Sequence, residues 1–131
     1  MQTSEIVTLE SSKGHNGENT TSLAWSKEEA TATYLAQGLR NSDINVWDTE
    51  RSKVINTIHQ HSDRVSSLNW CGVTLASGSK DSLIHVHDSR SETAQMTMKS
   101  HYKEVCGLKW SADGSFLASG SNDNRLCIWD I

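Results

Sequence analysis

Short stretches of alternating or β-branched residues, set apart by Gly, Asn, Asp and Ser, run through the chain and predict strands. The clearest trio is Val105 to Trp110, Phe116 to Ser119 across a favourable Asp113-Gly114 hairpin turn, and Leu126 to Trp129 after a second tight turn. Lys53 to Ile58 and Ala94 to Met98 read as outer strands, and Ile6 to Leu9 has the same character. Ser26 to Thr33 tolerates a short helical turn by propensity, but a longer hairpin loop keeps the pattern regular. Ser11 to Asn19 is rich in Ser, Gly and Asn and reads as a flexible connection.

The pattern repeats. Leu23-Ala24-Trp25, Leu35-Ala36-Gln37-Gly38 and Ile44 to Asp48 align with Leu68-Asn69-Trp70, Leu75-Ala76-Ser77-Gly78 and Ile84 to Asp88. Both align with Leu108-Lys109-Trp110, Leu117-Ala118-Ser119-Gly120 and Leu126 to Asp130. Gly38, Gly78 and Gly120 lie 40 and then 42 residues apart, and each precedes Trp47, His87 or Trp129 by nine. The spacing from Trp25, Trp70 or Trp110 to the following glycine varies as 13, 8 and 10 residues, so the length differences fall in loops. All five tryptophans sit at repeat landmarks and need no separate ligand-binding explanation.

Four short antiparallel strands per period of about 40 residues match a propeller blade, whose faces are buried only when neighbouring blades stack on them. The expected fold class is therefore all-β, a partial β-propeller of about three four-stranded blades. Residues 1–10 would supply the outer strand of a preceding blade, 11–19 a flexible connection, and 20–131 three repeats, the last without its outer strand. Leu68 and Trp70 should lie between sheets, because leaving them wet forfeits hydrophobic stabilisation. Ser67 and Gly107 are small enough to permit close approach. About three blades do not close an ordinary ring, which uses roughly four to eight.

Composition narrows the function classes. The 131 residues carry 12 Lys plus Arg against 16 Asp plus Glu, a formal charge of -4, with the basic residues scattered. No basic stripe marks a nucleic-acid partner, and no apolar run approaches a membrane span. A peptide or protein partner fits better. Cys71, Cys106 and Cys127 show no CxxC spacing, so neither a disulfide framework nor a thiolate metal site is indicated. The first ten residues lack the basic start and apolar core of a secretory signal, which makes Asn19-Thr20-Thr21 a chance match to a glycosylation acceptor.

With its Trp47-Asp48 and Trp129-Asp130 endings the chain resembles WD-repeat proteins; His87-Asp88 stands in the second repeat. More narrowly, Val105 to Ser111 followed by Leu117 to Asn124 resembles the fizzy family of anaphase-promoting-complex activators, supported by Arg64 to Trp70, Ala76 to Ser79 and His85 to Asp88. The resemblance covers nearly the whole chain and implies early-to-middle blades of a larger propeller. The family's N-terminal arginine-containing box and C-terminal Ile-Arg tail have no counterpart in these residues.

His61, Ser77 and Asp81 include the residue types of a hydrolase triad. Their recurrence as His101, Ser119 and Asp123 one repeat later argues for structure instead, since buried His and Asp need hydrogen-bond partners. The resemblance makes His101, Ser119, Asp123 and Trp129 a structural tetrad, repeated as His61, Ser77, Asp81 and His87. The two HxH pairs, His59 with His61 and His85 with His87, would offer imidazoles to zinc only if they converged, so no metal or cofactor is expected.

Asn122 and Asn124 flank Asp123 in a turn, where Asn and Asp are favoured for local backbone bonding alone. The resemblance implies a second role, because they match positions that help bind Lys-Glu-Asn degrons. Carboxamides suit that task, as each donates and accepts without a net charge. Ser121, where the family more often has glycine, is expected to narrow this surface.

The resemblance thus implies a non-enzymatic substrate-recognition or adaptor module of a ubiquitin ligase, in nucleus and cytoplasm. Its partners would be degron-bearing proteins and ligase subunits. The alternatives are a structural WD-repeat interaction fragment without ligase-activating function, completed by another chain or by homo-oligomerisation, and a truncated product.

Overall fold

The computed structural model describes residues 8–9, 19–26, 33–91 and 93–131. Half of the expected leading strand Ile6 to Leu9, nearly all of the connection over 11–19, and the centre of the Ser26 to Thr33 loop lie outside them. The described residues form eleven strands: β1 (Thr20–Trp25), β2 (Tyr34–Leu39), β3 (Ile44–Asp48), β4 (Lys53–Ile58), β5 (Val65–Cys71), β6 (Thr74–Ser79), β7 (Leu83–Asp88), β8 (Ala94–Lys99), β9 (Val105–Trp110), β10 (Phe116–Ser121) and β11 (Leu126–Asp130). Within each sheet sequence neighbours pair antiparallel, giving β1 to β4, β5 to β8 and β9 to β11, the last with three strands among the described residues. The expected architecture of about three stacked blades is what forms.

Strand β5 adjoins β1 on one side and β9 on the other, so the sheets stack with their inner strands side by side. Between the first two sheets lies a core of Ala36, Ile44, Val46, Ile58, Val65, Leu68, Trp70 and Leu75. Between the second and third lie Ala76, Ile84, Val86, Met98, Val105, Trp110 and Leu117. Leu68 and Trp70 are buried as expected, and full burial of such a side chain is worth about 1.5–3 kcal/mol.

Polar contacts lock these junctions from both sides. Trp70 Nε1 donates to the Ala24 carbonyl at 2.9 Å and Trp110 Nε1 to the Asn69 carbonyl at 3.1 Å, each reaching back to the preceding sheet. Reaching forward, the Thr21 and Ser22 hydroxyls donate to the Val65 carbonyl, and those of Ser66 and Ser67 donate to the Val105 carbonyl.

The close approach expected at Ser67 is present, its partners being Gly78 and Val105, whereas the one expected at Gly107 is not. A Cβ on Gly78 would lie 2.4 Å from Ser67 Oγ and 2.6 Å from Val105 Cγ1, and one on Gly38 2.2 Å from Ser22 Oγ. A Cβ on Gly107 would meet nothing within 4 Å, because the face it lies on has no neighbouring sheet among the described residues.

Candidate functional site

Three equivalent turns gather at one end of the stack, joining β2 to β3, β6 to β7 and β10 to β11. In each, an Asx side chain accepts the backbone N–H two residues on: Asn41 from Asp43 at 3.0 Å, Asp81 from Leu83 at 2.9 Å and Asp123 from Arg125 at 2.9 Å. The intervening Ser42, Ser82 and Asn124 have φ of 85°, 72° and 66°, the left-handed region that short polar side chains tolerate. These turns hydrogen-bond to the segments leading into the inner strands, through Arg40 N–H to the Asn19 carbonyl, Lys80 N–H to Arg64 and Asn122 N–H to Glu104.

The residues named from the sequence as tetrads come together. In the third sheet Trp129 Nε1 donates to Ser119 Oγ at 2.8 Å, Ser119 faces His101 Nε2 at 2.8 Å, and His101 Nδ1 meets Asp123 Oδ2 at 2.9 Å. Since the indole only donates, the relay has one direction: Ser119 donates to His101, which donates to Asp123. Burial opposes the Asp123 carboxylate, but the His101 bond and the Arg125 and Tyr102 N–H groups outweigh it and lower its pKa.

The second sheet runs the same relay with an imidazole at its head. His87 Nε2 and Ser77 Oγ are 2.8 Å apart, Ser77 and His61 Nε2 2.8 Å, and His61 Nδ1 and Asp81 Oδ2 3.0 Å. For this relay to keep its direction, His87 carries its proton on Nε2, which leaves Nδ1 as a buried acceptor without a partner. His85 packs between the two other rings, its centroid 4.4 Å from His61 and 5.9 Å from His87. Burial first, then neighbouring imidazoles, push His85 down to about 4 and His87 down to about 3; Lys99 adds to the effect on His85, while Asp81 and the Gln60 carbonyl oppose it. Asp81, desolvated but held by His61 and by the Ser62 and Leu83 N–H groups, sits at about 2.

In the first sheet Gln37 takes the serine place, as the aligned repeats show, and accepts the Trp47 indole at 2.9 Å, a contact the sequence reading did not name. Also missed was the bidentate pair of Arg64 with Glu104, at 2.7 and 2.9 Å, which ties the leading segments of the second and third sheets. The Arg64–Glu104 contact joins residues 40 positions apart and so has no local signal in the sequence. The HxH pairs do not make a centre: His59 Nδ1 lies against Asp43 at 2.6 Å, and among the described residues no three His, Cys, Asp or Glu side chains converge for a metal ion.

Asn122 and Asn124 are exposed, on either side of the buried Asp123. Their counterparts are Arg40 and Ser42, then Lys80 and Ser82, so the third turn alone presents two carboxamides. Asn122 Oδ1 accepts from the Cys106 thiol at 3.1 Å. Ser121 does not narrow the surface: its hydroxyl turns back to the Lys103 carbonyl at 3.1 Å and accepts the Asp123 N–H at 3.2 Å. Tyr102, Lys103 and Arg125 lie exposed beside this turn, an arrangement suited to a polar peptide.

Comparison with known proteins places this arrangement. The family model described as WD domain, G-beta repeat matches residues 92–130, and the anaphase-promoting complex subunit 4 WD40 domain model matches residues 1–73. The chain is 42% identical over 112 residues to the anaphase-promoting complex subunit cdc20 of Dictyostelium discoideum, covering 85% of this chain and 22% of that protein. It is 40% identical over 130 residues to cell division cycle 20.1, cofactor of APC complex, of Arabidopsis thaliana, covering 98% and 27%. A chain of the crystal structure of mitotic checkpoint complex superposes with a TM-score of 0.83 at 37% identity, covering 90% of this chain and 36% of that one. The chain thus spans about a quarter of the length of the curated relatives it matches.

Proposed function

This chain belongs to the fizzy/cdc20 family of WD40-repeat proteins, and from that premise we propose that it is a non-enzymatic recognition module of the anaphase-promoting-complex ubiquitin ligase, holding degron peptides at its third turn. Asn122 and Asn124 would hydrogen-bond a degron asparagine and its flanking amides, and ligase subunits would supply the transfer chemistry. Nucleus and cytoplasm are the compartments this role implies.

The observation that carries the reading is the pair of exposed carboxamides on a turn held rigid from below by the His101–Asp123 bond. A rigid turn binds without first losing conformational freedom, which preserves the modest energy of each hydrogen bond. Titration of a Lys-Glu-Asn peptide followed by fluorescence anisotropy tests it, using Asn122→Ala and Asn124→Gly, the latter to keep the left-handed backbone unstrained. Each lost hydrogen bond, worth about 0.5–1.5 kcal/mol, should weaken affinity roughly 2- to 10-fold. Unchanged affinity in both variants, with folded circular-dichroism spectra, would remove the assignment.

A further inference from the structure

Arg40, Lys80 and Asn122 hold one position in three equivalent turns, because the backbone N–H of each bonds to the segment leading into the inner strand of its own sheet. All three are exposed. Lys80 belongs to the middle sheet, which packs against a neighbour on both faces, so this turn position is open to solvent even with a sheet on either side. One row across this end of the stack therefore reads arginine, lysine, carboxamide. Lys103 and Arg125 lie exposed beside its last member.

Most carboxylates of these turns and leading segments are already engaged. Asp81 and Asp123 are held by His61 and His101, and Asp43 lies against His59. Glu104 takes two hydrogen bonds from Arg64, with Lys80 adding to the attraction that Arg64 exerts on it. Asp63 is exposed and accepts the Arg64 N–H. Arg40 and Lys80 themselves form no ion pair among the described residues. Their charged heads are available to an anionic partner.

We propose that Arg40 and Lys80 extend the peptide site, taking the carboxylates of an acidic stretch that flanks the residue held at the third turn. Stacked sheets lie about 10 Å apart and an extended peptide advances about 3.3 Å per residue, so each step along the row spans about three residues. An acidic residue three positions from the degron asparagine meets Lys80, and one six positions away meets Arg40. Exposed charge pairs add little affinity, so the row selects among degrons and does not itself create binding. The chain's formal charge of -4 disfavours acidic peptides at long range, which makes any gain from added glutamates a local contact. The register of this inference rests on the degron reading, since the asparagine site fixes where the peptide is anchored.

Fluorescence anisotropy with three labelled peptides tests it: a Lys-Glu-Asn peptide with neutral flanks, and the same peptide with glutamates three and six residues before, or after, the asparagine. One of the two acidic peptides should bind more tightly than the neutral one, by roughly 2- to 5-fold per contact at low salt, and the gain should shrink at high salt. Lys80→Gln should remove the gain from the nearer glutamate and Arg40→Gln that from the farther one. Lys53→Gln, an equal charge change at the other end of the sheets, should leave both. With the neutral peptide bound, no gain in either placement, or a gain that Lys53→Gln removes equally, overturns the row and leaves the degron reading standing. Acidic-peptide binding that needs Lys80 but survives replacement of the peptide's asparagine by alanine keeps the row and removes the degron reading. Failure of all three peptides to bind overturns both.

Discussion

His87 stands 2.8 Å from Ser77 in the place where Trp129 stands 2.8 Å from Ser119, so equivalent relays begin with an imidazole in one sheet and an indole in the next. The substitution introduces a proton site into a buried position. An indole has none to titrate.

Stability should fall with acid in two windows. His85 and His87 have folded pKa values of about 4 and 3 against an ordinary 6.5, so the unfolded chain takes up protons first as pH drops. Their contribution is complete above about 6.5 and is lost progressively toward pH 3. Asp81 and Asp88, each near 2 against 3.8, contribute fully above about 4 and lose that contribution below it. Urea unfolding midpoints from pH 7.5 to 4.5 should decline, and His87→Trp should flatten the decline. A pH-independent midpoint over that range would contradict the neutral-imidazole cluster.

Ser77→Ala should be more damaging than its size suggests. It strips the shared partner from both His61 and His87, leaving two buried ring nitrogens unpaired, each costing about 1–3 kcal/mol. Differential scanning calorimetry should show a lower Tm, with Ser77→Thr losing less. A Tm within a degree of the parent would refute the relay.

At the sheet junctions, Gly78→Ala should destabilise by roughly 1–3 kcal/mol, since the new methyl collides with Ser67 and Val105. Gly107→Ala should be neutral or slightly stabilising, as nothing lies within 4 Å of its Cβ. The denaturant midpoint should therefore fall for Gly78→Ala and not for Gly107→Ala; equal losses would mean that the junctions are not tightly packed.

Asn124→Ala should cost about 1–2 kcal/mol, because a non-glycine residue lacking a short polar side chain is strained at φ 66°. Asn124→Gly should recover that loss. Thermal melts of the two decide between backbone strain and a lost side-chain contact.

The repeat itself was legible, because five tryptophans and three glycines at nearly constant spacing leave few alternatives to stacked strands. The repeat shows that His61 and His101 recur in step with Ser77 and Ser119, and the family resemblance is what implied that they join as tetrads. What the repeat could not show is how one member deviates from the others. Gln37 in the serine place still accepts an indole, Ser121 braces its turn instead of crowding the surface, and His85 of β7 meets the ring of His61, which comes from the segment before β5. The tight glycines were visible as landmarks, but crowding is a property of the next sheet, which local sequence does not describe. The Arg64–Glu104 pair spans 40 residues and leaves no periodic trace.

The forward-reaching hydroxyls of Thr21, Ser22, Ser66 and Ser67 give the stack a polarity that matches the order of translation. At about 5–20 residues per second, the roughly 40 residues of one repeat emerge over about 2–8 s, while a hairpin forms in about 1–10 μs. The strands of each sheet thus have time to pair before its successor leaves the ribosome. The newcomer arrives at a ready-made template, and growth from the amino end proceeds by adding one slab at a time, without any search among unfinished partners.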